Sequence, residues 1–449
     1  MSDLSAAIPP PSRRSLLEFI RLVKTDQLQL YRPSLFTREL GYNRLLFQHS
    51  FFLNSPDYIE HVLLTNHKNY TKSRYHRQIL GPVLGQGLLT SEGDFWRRQR
   101  RIAAPAFHHK RIAGFIDIMA QATAELLAEW DGRSKAFEVT KEMMALTLKI
   151  IARTMFSSDV GADTRSVERA MTAMLELGKP SLIDLLGLPE WLPRVQPKGF
   201  RRAIADLERV IARILAERHV DPSDRGDLLS MLLAARDEET GEGMNDRQLR
   251  DEIMTIFLAG HETTANGLAW TWHLLGRHPE VEARLHVELE SVLAGRTPTF
   301  ADLPALKYTR AVFEEAMRLY PPAHTFNRMA IGWDEIGGHK VPPGSLITIS
   351  PYVVHRNPKL WPEPERFDPD RFLPENAAGR PRYAYLPFGG GPRICIGNSF
   401  AIFEAQVILA MIAQRHRLRP LPGHVVEPVG HITLRPRNGI MVVAERRGS

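Results

Sequence analysis

Apolar residues recur at every third or fourth position through most of Ile112 to Met155 and again from Gly199 to His219, a spacing that predicts helices with one face in a core. The longest such run extends from about Asp246 to Arg277. At about 1.5 Å per residue it would measure about 48 Å, enough to cross the molecule. Halfway along, "AGHETT" (Ala259–Thr264) interrupts the apolar sequence with a glycine, an acid and two threonines. Another helical run starts just after Gly397 and closes on Arg415, His416 and Arg417, cations that suit a helix C-terminus. Strand patterns lie near the chain ends. "RLLFQHSFFLNSPDYIEHVLL" reads as apolar strand, turn and a helix from about Asp57, and "HITLRPRNGIMVVAE" as a hairpin turning at Asn438 and Gly439.

Between these runs, a proline-rich leader (Pro9–Pro11) opens the chain, and "ARDEETGEGMNDRQ" is polar enough to be solvated loop. "DLLGLPEWLPRVQP" (Asp184–Pro197) is broken by prolines yet rich in leucine and tryptophan, a greasy loop that either folds onto the core or forms a ligand entrance or membrane-facing lip. No internal repeat is apparent. The expected fold class is mainly α with a small β region.

Composition adds exclusions. With 449 residues the chain passes the size at which cores usually split into domains, and with 43% apolar and 24% charged residues it can bury a large core. A single cysteine rules out an intramolecular disulfide, an ordinary four-thiolate cluster and a thiolate-rich zinc site. The net charge of +7 fits an acidic partner or simply an arginine-rich surface. Basic clusters occur at Trp96–Arg101, His108–Arg111 and Arg415–Arg419, beside helix-like sequence and without a nucleic-acid motif. The start lacks an apolar run long enough for a signal or membrane span, so a cytoplasmic protein is expected.

The lone cysteine stands in "FGGGPRICIG" (Phe388–Gly397). Glycines let backbone press against a planar ligand, and the helix that follows places Cys395 at its N-terminus, where dipole and free N–H groups should lower a thiol's pKa. Phe388, Gly391, Arg393, Cys395 and Gly397 match the haem-binding loop F-x-x-G-x-R-x-C-x-G, and on these residues the chain resembles the cytochrome P-450 monooxygenases. The resemblance implies that Cys395 is the axial thiolate of a haem b iron, that Phe388 packs beside the sulfur and that Arg393 pairs with a haem propionate.

Further motifs of that family follow. "AGHETT" is similar to its A/G-G-x-D/E-T-T helix, which implies that Thr263 and Glu262 deliver protons to the bound oxygen; the plainer reading is that Thr263 and Thr264 bond back to carbonyls one turn earlier. Glu315 and Arg318 in "EEAMR" resemble the family's buried ion pair, completed by Arg366 or Arg371, of which "FDPDRF" favours Arg371. Trp96, Arg100 and Arg328 occupy positions that imply further propionate partners.

The resemblance as a whole implies a single monooxygenase domain over residues 1–449 that inserts one oxygen atom of O₂ into a small apolar substrate. Electrons would come from a separate ferredoxin or flavodoxin with its reductase, docking on a basic patch of spare arginines in Trp96–Arg101 with Lys110 and Arg111. The expected substrate is a fatty acid or similar lipid, its carboxylate anchored by "KSRYHR" (Lys72–Arg77) and its chain against Leu88, Phe257, Ala259 and Ile432. The alternatives are a steroid or terpenoid, or, in another class, a haem-based sensor or electron carrier. Neither nucleic acid nor a membrane span is expected.

Overall fold

The computed structural model describes residues 16–45, 48–157 and 199–447. The loop Asp184–Pro197 and the proline leader lie outside the described residues. Among these, helices dominate. Asp246–Leu275 is the longest, opened by a capping box in which Asn245 and Gln248 satisfy each other's backbone N–H groups. Its residues from Ala265 to Leu275 are all buried, so it is core on every side. Around it pack Val139–Phe156, Lys307–Leu319 and Asn398–Arg415, with Ile116–Trp130 against the last of these. Two indoles mark the depth of this core, since Trp270 stacks on Tyr320 with ring centres 4.0 Å apart and Trp130 is buried against Phe137.

The β part is small. A five-stranded sheet joins Leu40–Leu45, Gln48–Leu53, Leu346–Ile349, Phe326–Ala330 and Tyr70–Lys72 in that order. It has its own apolar cluster, including Phe51, Leu53, Ile347 and Ile349. The helix expected from Asp57 runs over Pro56–Glu60.

The hairpin expected at Asn438–Gly439 does not form. Gly439 does take a left-handed turn (φ +68), but Leu434–Pro436 pairs with Pro428–Gly430, while Met441–Arg446 pairs with His416–Pro420 and Phe137–Glu138. The turn is local, whereas the strands flanking it pair in two different sheets. The expected solvated loop after Ala234 is only partly so, because Asp237 is buried there against Arg101.

Candidate active site

The cysteine loop hangs from a chain of hydrogen bonds that starts at a buried ion pair. Arg318 donates to both carboxylate oxygens of Glu315, at 2.6 and 2.8 Å, with neither side chain reaching solvent. Its remaining donors reach the carbonyls of His355, Pro364 and Arg366 at 2.8, 2.6 and 3.0 Å. Arg371 brings its Nε to 3.5 Å from Glu315, whereas Arg366 turns its guanidinium out to exposed Glu363. Burial pushes the Glu315 carboxyl up, and the arginines hold it back down.

His355 carries the chain onward. Its Nδ1 donates to the Arg318 carbonyl at 3.1 Å and its Nε2 accepts the Leu386 N–H at 2.9 Å. Burial keeps this imidazole neutral by holding its pKa well below the ordinary value, so one tautomer serves both bonds. Leu386 accepts from Gly389 at 3.1 Å and Phe388 accepts the Cys395 N–H at 3.0 Å, which closes the loop. Gly391 sits at φ +65 where a Cβ would lie 1.8 Å from the Leu63 carbonyl oxygen, so only glycine fits. The sequence singled out the loop and the ion pair but not His355, since a lone histidine in "VVHRN" carries no signal.

Cys395 presents an accessible face, yet the protein packed around it is dense enough for burial to dominate its pKa. The expectation that the helix N-terminus lowers its pKa is not met. Asn398–Arg415 begins beyond Gly397, and burial of the thiol outweighs the Gly397 N–H and Arg100, so the pKa is raised. A thiolate here needs a stronger positive charge at the sulfur, and a coordinated iron is such a charge. A similar opening interrupts the long helix: between buried neighbours Ala259 is exposed and Gly260 and Thr263 are partly so. Thr263 donates to the Ala259 carbonyl at 2.8 Å and Thr264 to that of Gly260 at 3.3 Å. Glu262 is turned elsewhere, its carboxylate 2.5 Å from the Arg435 guanidinium and accepting from Thr433.

Around the cysteine loop, cations outnumber acids. Arg393 lies over the Trp96 ring at 3.8 Å, pairs with Glu92 and donates to the Ser91 carbonyl at 2.9 Å. Arg328, enclosed beside it, donates to the Asn327 carbonyl at 3.0 Å, and burial lowers the pKa of both guanidiniums to about 10. Arg100 has no hydrogen bond or ion pair among the described residues, and burial lowers its pKa too. Lys72 faces Arg393 and Arg328 as well. Such a cluster is costly without further anions. Haem b answers each feature of the site, with one metal for one soft thiolate, a flat face for the glycine loop and two carboxylates for the surplus cations.

Other expectations need correcting. Lys72 is buried, and its ammonium donates to the carbonyls of Leu88, Leu89 and Ser91 at 3.0, 2.5 and 3.4 Å, so it is no carboxylate anchor at a mouth; Arg74 and Arg77 are on the surface. The basic patch is narrower than expected. Arg97 pairs with Asp94 at 2.6 Å, Arg98 with Glu242 at 3.2 Å and Arg101 with Asp237 at 2.7 Å, which leaves Lys110 and Arg111 as its exposed cations outside these ion pairs. Among the described residues no helix is long and apolar enough to cross a membrane.

Comparison with known proteins agrees with this geometry. Residues 37–443 match the cytochrome P-450 family. Cyclooctatin synthase of Streptomyces melanosporofaciens is 43% identical over 84% of this chain and 83% of its own. Cyclooctat-9-en-7-ol 5-monooxygenase of the same organism is 42% identical over 76% of this chain and 74% of its own. Pentalenene oxygenase of Streptomyces avermitilis is 34% identical over 84% of each. The crystal structure of the cytochrome P-450DA haem domain superposes with a TM-score of 0.85 at 25% identity, covering 98% of both chains. A cysteine loop scaffolded from Glu315, a surplus of partly buried cations around it and this breadth of similarity have one explanation: the chain belongs to the cytochrome P-450 family and is a haem-thiolate monooxygenase.

Proposed function

We propose that the protein hydroxylates a compact, ring-bearing terpenoid in the cytoplasm, as a single domain over residues 1–449. The observation that carries the choice of substrate is the commitment of Lys72. A lysine ammonium has three donors, and all three are spent on the carbonyls of Leu88, Leu89 and Ser91, so the interior cation of the Lys72–Arg77 segment has none for a fatty-acid carboxylate. The names of the relatives, built on cyclooctatin, cyclooctat-9-en-7-ol and pentalenene, favour the same substrate class.

Bound haem would supply the oxygen activation, with the ligating thiolate donating electron density to the iron. Cys395 would ligate its iron, with Phe388 beside the sulfur, Gly391 letting the loop pass close to Leu63 and Gly397 leaving room for the ring. Arg393, Arg328, Arg100 and Trp96 would hold the propionates. Glu315, Arg318, Arg371 and His355 fix the loop's position. Thr263 stands at the opening of the long helix as the proton donor, and Glu262 resupplies it when its pairing with Arg435 loosens. Electrons come from a separate ferredoxin or flavodoxin with its reductase, steered to Lys110 and Arg111, so reduction should slow as salt rises.

Substrate-induced spectral titration separates the substrate readings. The proposal expects polycyclic terpenoids to bind at least about tenfold tighter than fatty acids of similar size, a difference of about 1.4 kcal/mol. The fatty-acid reading survives instead if fatty acids bind tighter, and if replacing Arg74 and Arg77 together weakens the acid by about 1–3 kcal/mol while sparing its methyl ester.

A further inference from the structure

The turn Gly85–Ser91 is held from several directions at once. On the long helix, Asp251 accepts the Gln86 N–H at 2.8 Å and Glu252 accepts the Leu88 N–H at 3.0 Å. From the sheet, Lys72 donates to the carbonyls of Leu88, Leu89 and Ser91. Both polar backbone groups of Leu88 are thus taken by buried charged side chains of opposite sign. The fit is close, since a Cβ on Gly85 would lie 2.2 Å from the Asp251 carboxylate and one on Gly87 2.0 Å from Thr255 Oγ1. Glu252, 1% exposed, keeps its Oε1 buried without a hydrogen-bond partner.

The turn is fixed to the same helix about two turns before its opened part. Glu252, Ile256, Ala259 and Thr263 recur at spacings of four, three and four along one stripe of Asp246–Leu275. Glu252 is therefore about 10 Å from Ala259 along the axis.

We propose that Glu252 and Lys72 form a latch on Leu88, in which Glu252 is a positioning residue that sets the wall of the substrate cavity and the grip on the substrate. The cavity part of this proposal rests on the function given above. Burial pushes the Glu252 carboxyl up to about 7, so the latch changes state near neutral pH. The groups that face it are Asp251 on its own helix, which raises it, and Lys72 on the strand, which lowers it. Arg250 is taken up by Asp251 and Glu208. Behind Lys72 stand Arg393, Arg328, Glu92 and His76. Lys149 and Arg153 of Val139–Phe156 are engaged by Glu125. Above about pH 7 the carboxylate grips the Leu88 N–H, and below it the protonated acid holds this donor more weakly.

Amide exchange of the haem-loaded, substrate-free enzyme tests the latch. After correction for intrinsic rates, the proposal expects protection of the 85–91 turn to rise several-fold between pH 6 and pH 8 in the wild type, and to become independent of pH in Glu252→Gln. A wild-type turn whose protection does not change with pH overturns the latch even if the variant fails to fold, as does a variant that keeps the step. Terpenoid affinity should rise through the same pH range. An exchange step without an affinity step overturns the placement of the turn at the substrate cavity but leaves the latch standing, whereas terpenoids failing to bind at any pH count against the proposed substrate.

Discussion

Glu315 and Arg318 meet through two hydrogen bonds, at 2.6 and 2.8 Å, with both side chains at 0% exposure. Removing either leaves a charge buried without its partner, which costs about 3–5 kcal/mol. Glu315→Ala and Arg318→Ala should each yield little folded, haem-loaded protein. Haem content per chain reads this directly, and normal content in either variant would contradict the scaffold role.

His355 makes the same scaffold sensitive to acid. Its folded pKa lies well below the unfolded value near 6.5, so the unfolded chain binds the extra proton first. Its contribution is intact above pH 6.5 and is lost as pH falls through that value toward the folded pKa, at about 1.4 kcal/mol per pH unit. Unfolding midpoints of wild type and His355→Asn between pH 7.5 and pH 5 should converge as pH falls. A constant gap would exclude His355 as the titrating group.

Thr263 should matter to chemistry and little to structure. Its hydroxyl donates to a carbonyl of its own helix, and its loss costs one weak local bond. Thr263→Ala should keep its haem and substrate affinity but divert electrons to peroxide, lowering product per NAD(P)H by at least about tenfold. Unchanged coupling would remove Thr263 from proton delivery.

The features legible in the sequence were those that short spacing encodes. The loop Phe388–Gly397, the Glu315–Arg318 pair and the helical runs each depend on residues within a few turns of one another, and the preference for Arg371 over Arg366 came from register alone. What stayed hidden came from distant segments meeting. Arg435 reaches Glu262 across 173 positions, and Lys72, part of the segment expected to anchor a carboxylate, is drawn inside by carbonyls of a turn 16 to 19 residues away. The thiol of Cys395 was misjudged for a related reason, since a helix dipole can be read locally whereas the depth of burial that overrides it cannot.

The central claim, that Cys395 is the axial ligand of a haem, meets its most direct test in the absorption spectrum of the reduced, CO-bound protein. Wild type should show the strongly red-shifted Soret band of a thiolate-ligated haem, and Cys395→Ala, with no other cysteine in the chain, should lack it entirely. A red-shifted band that persists in Cys395→Ala would contradict the assignment.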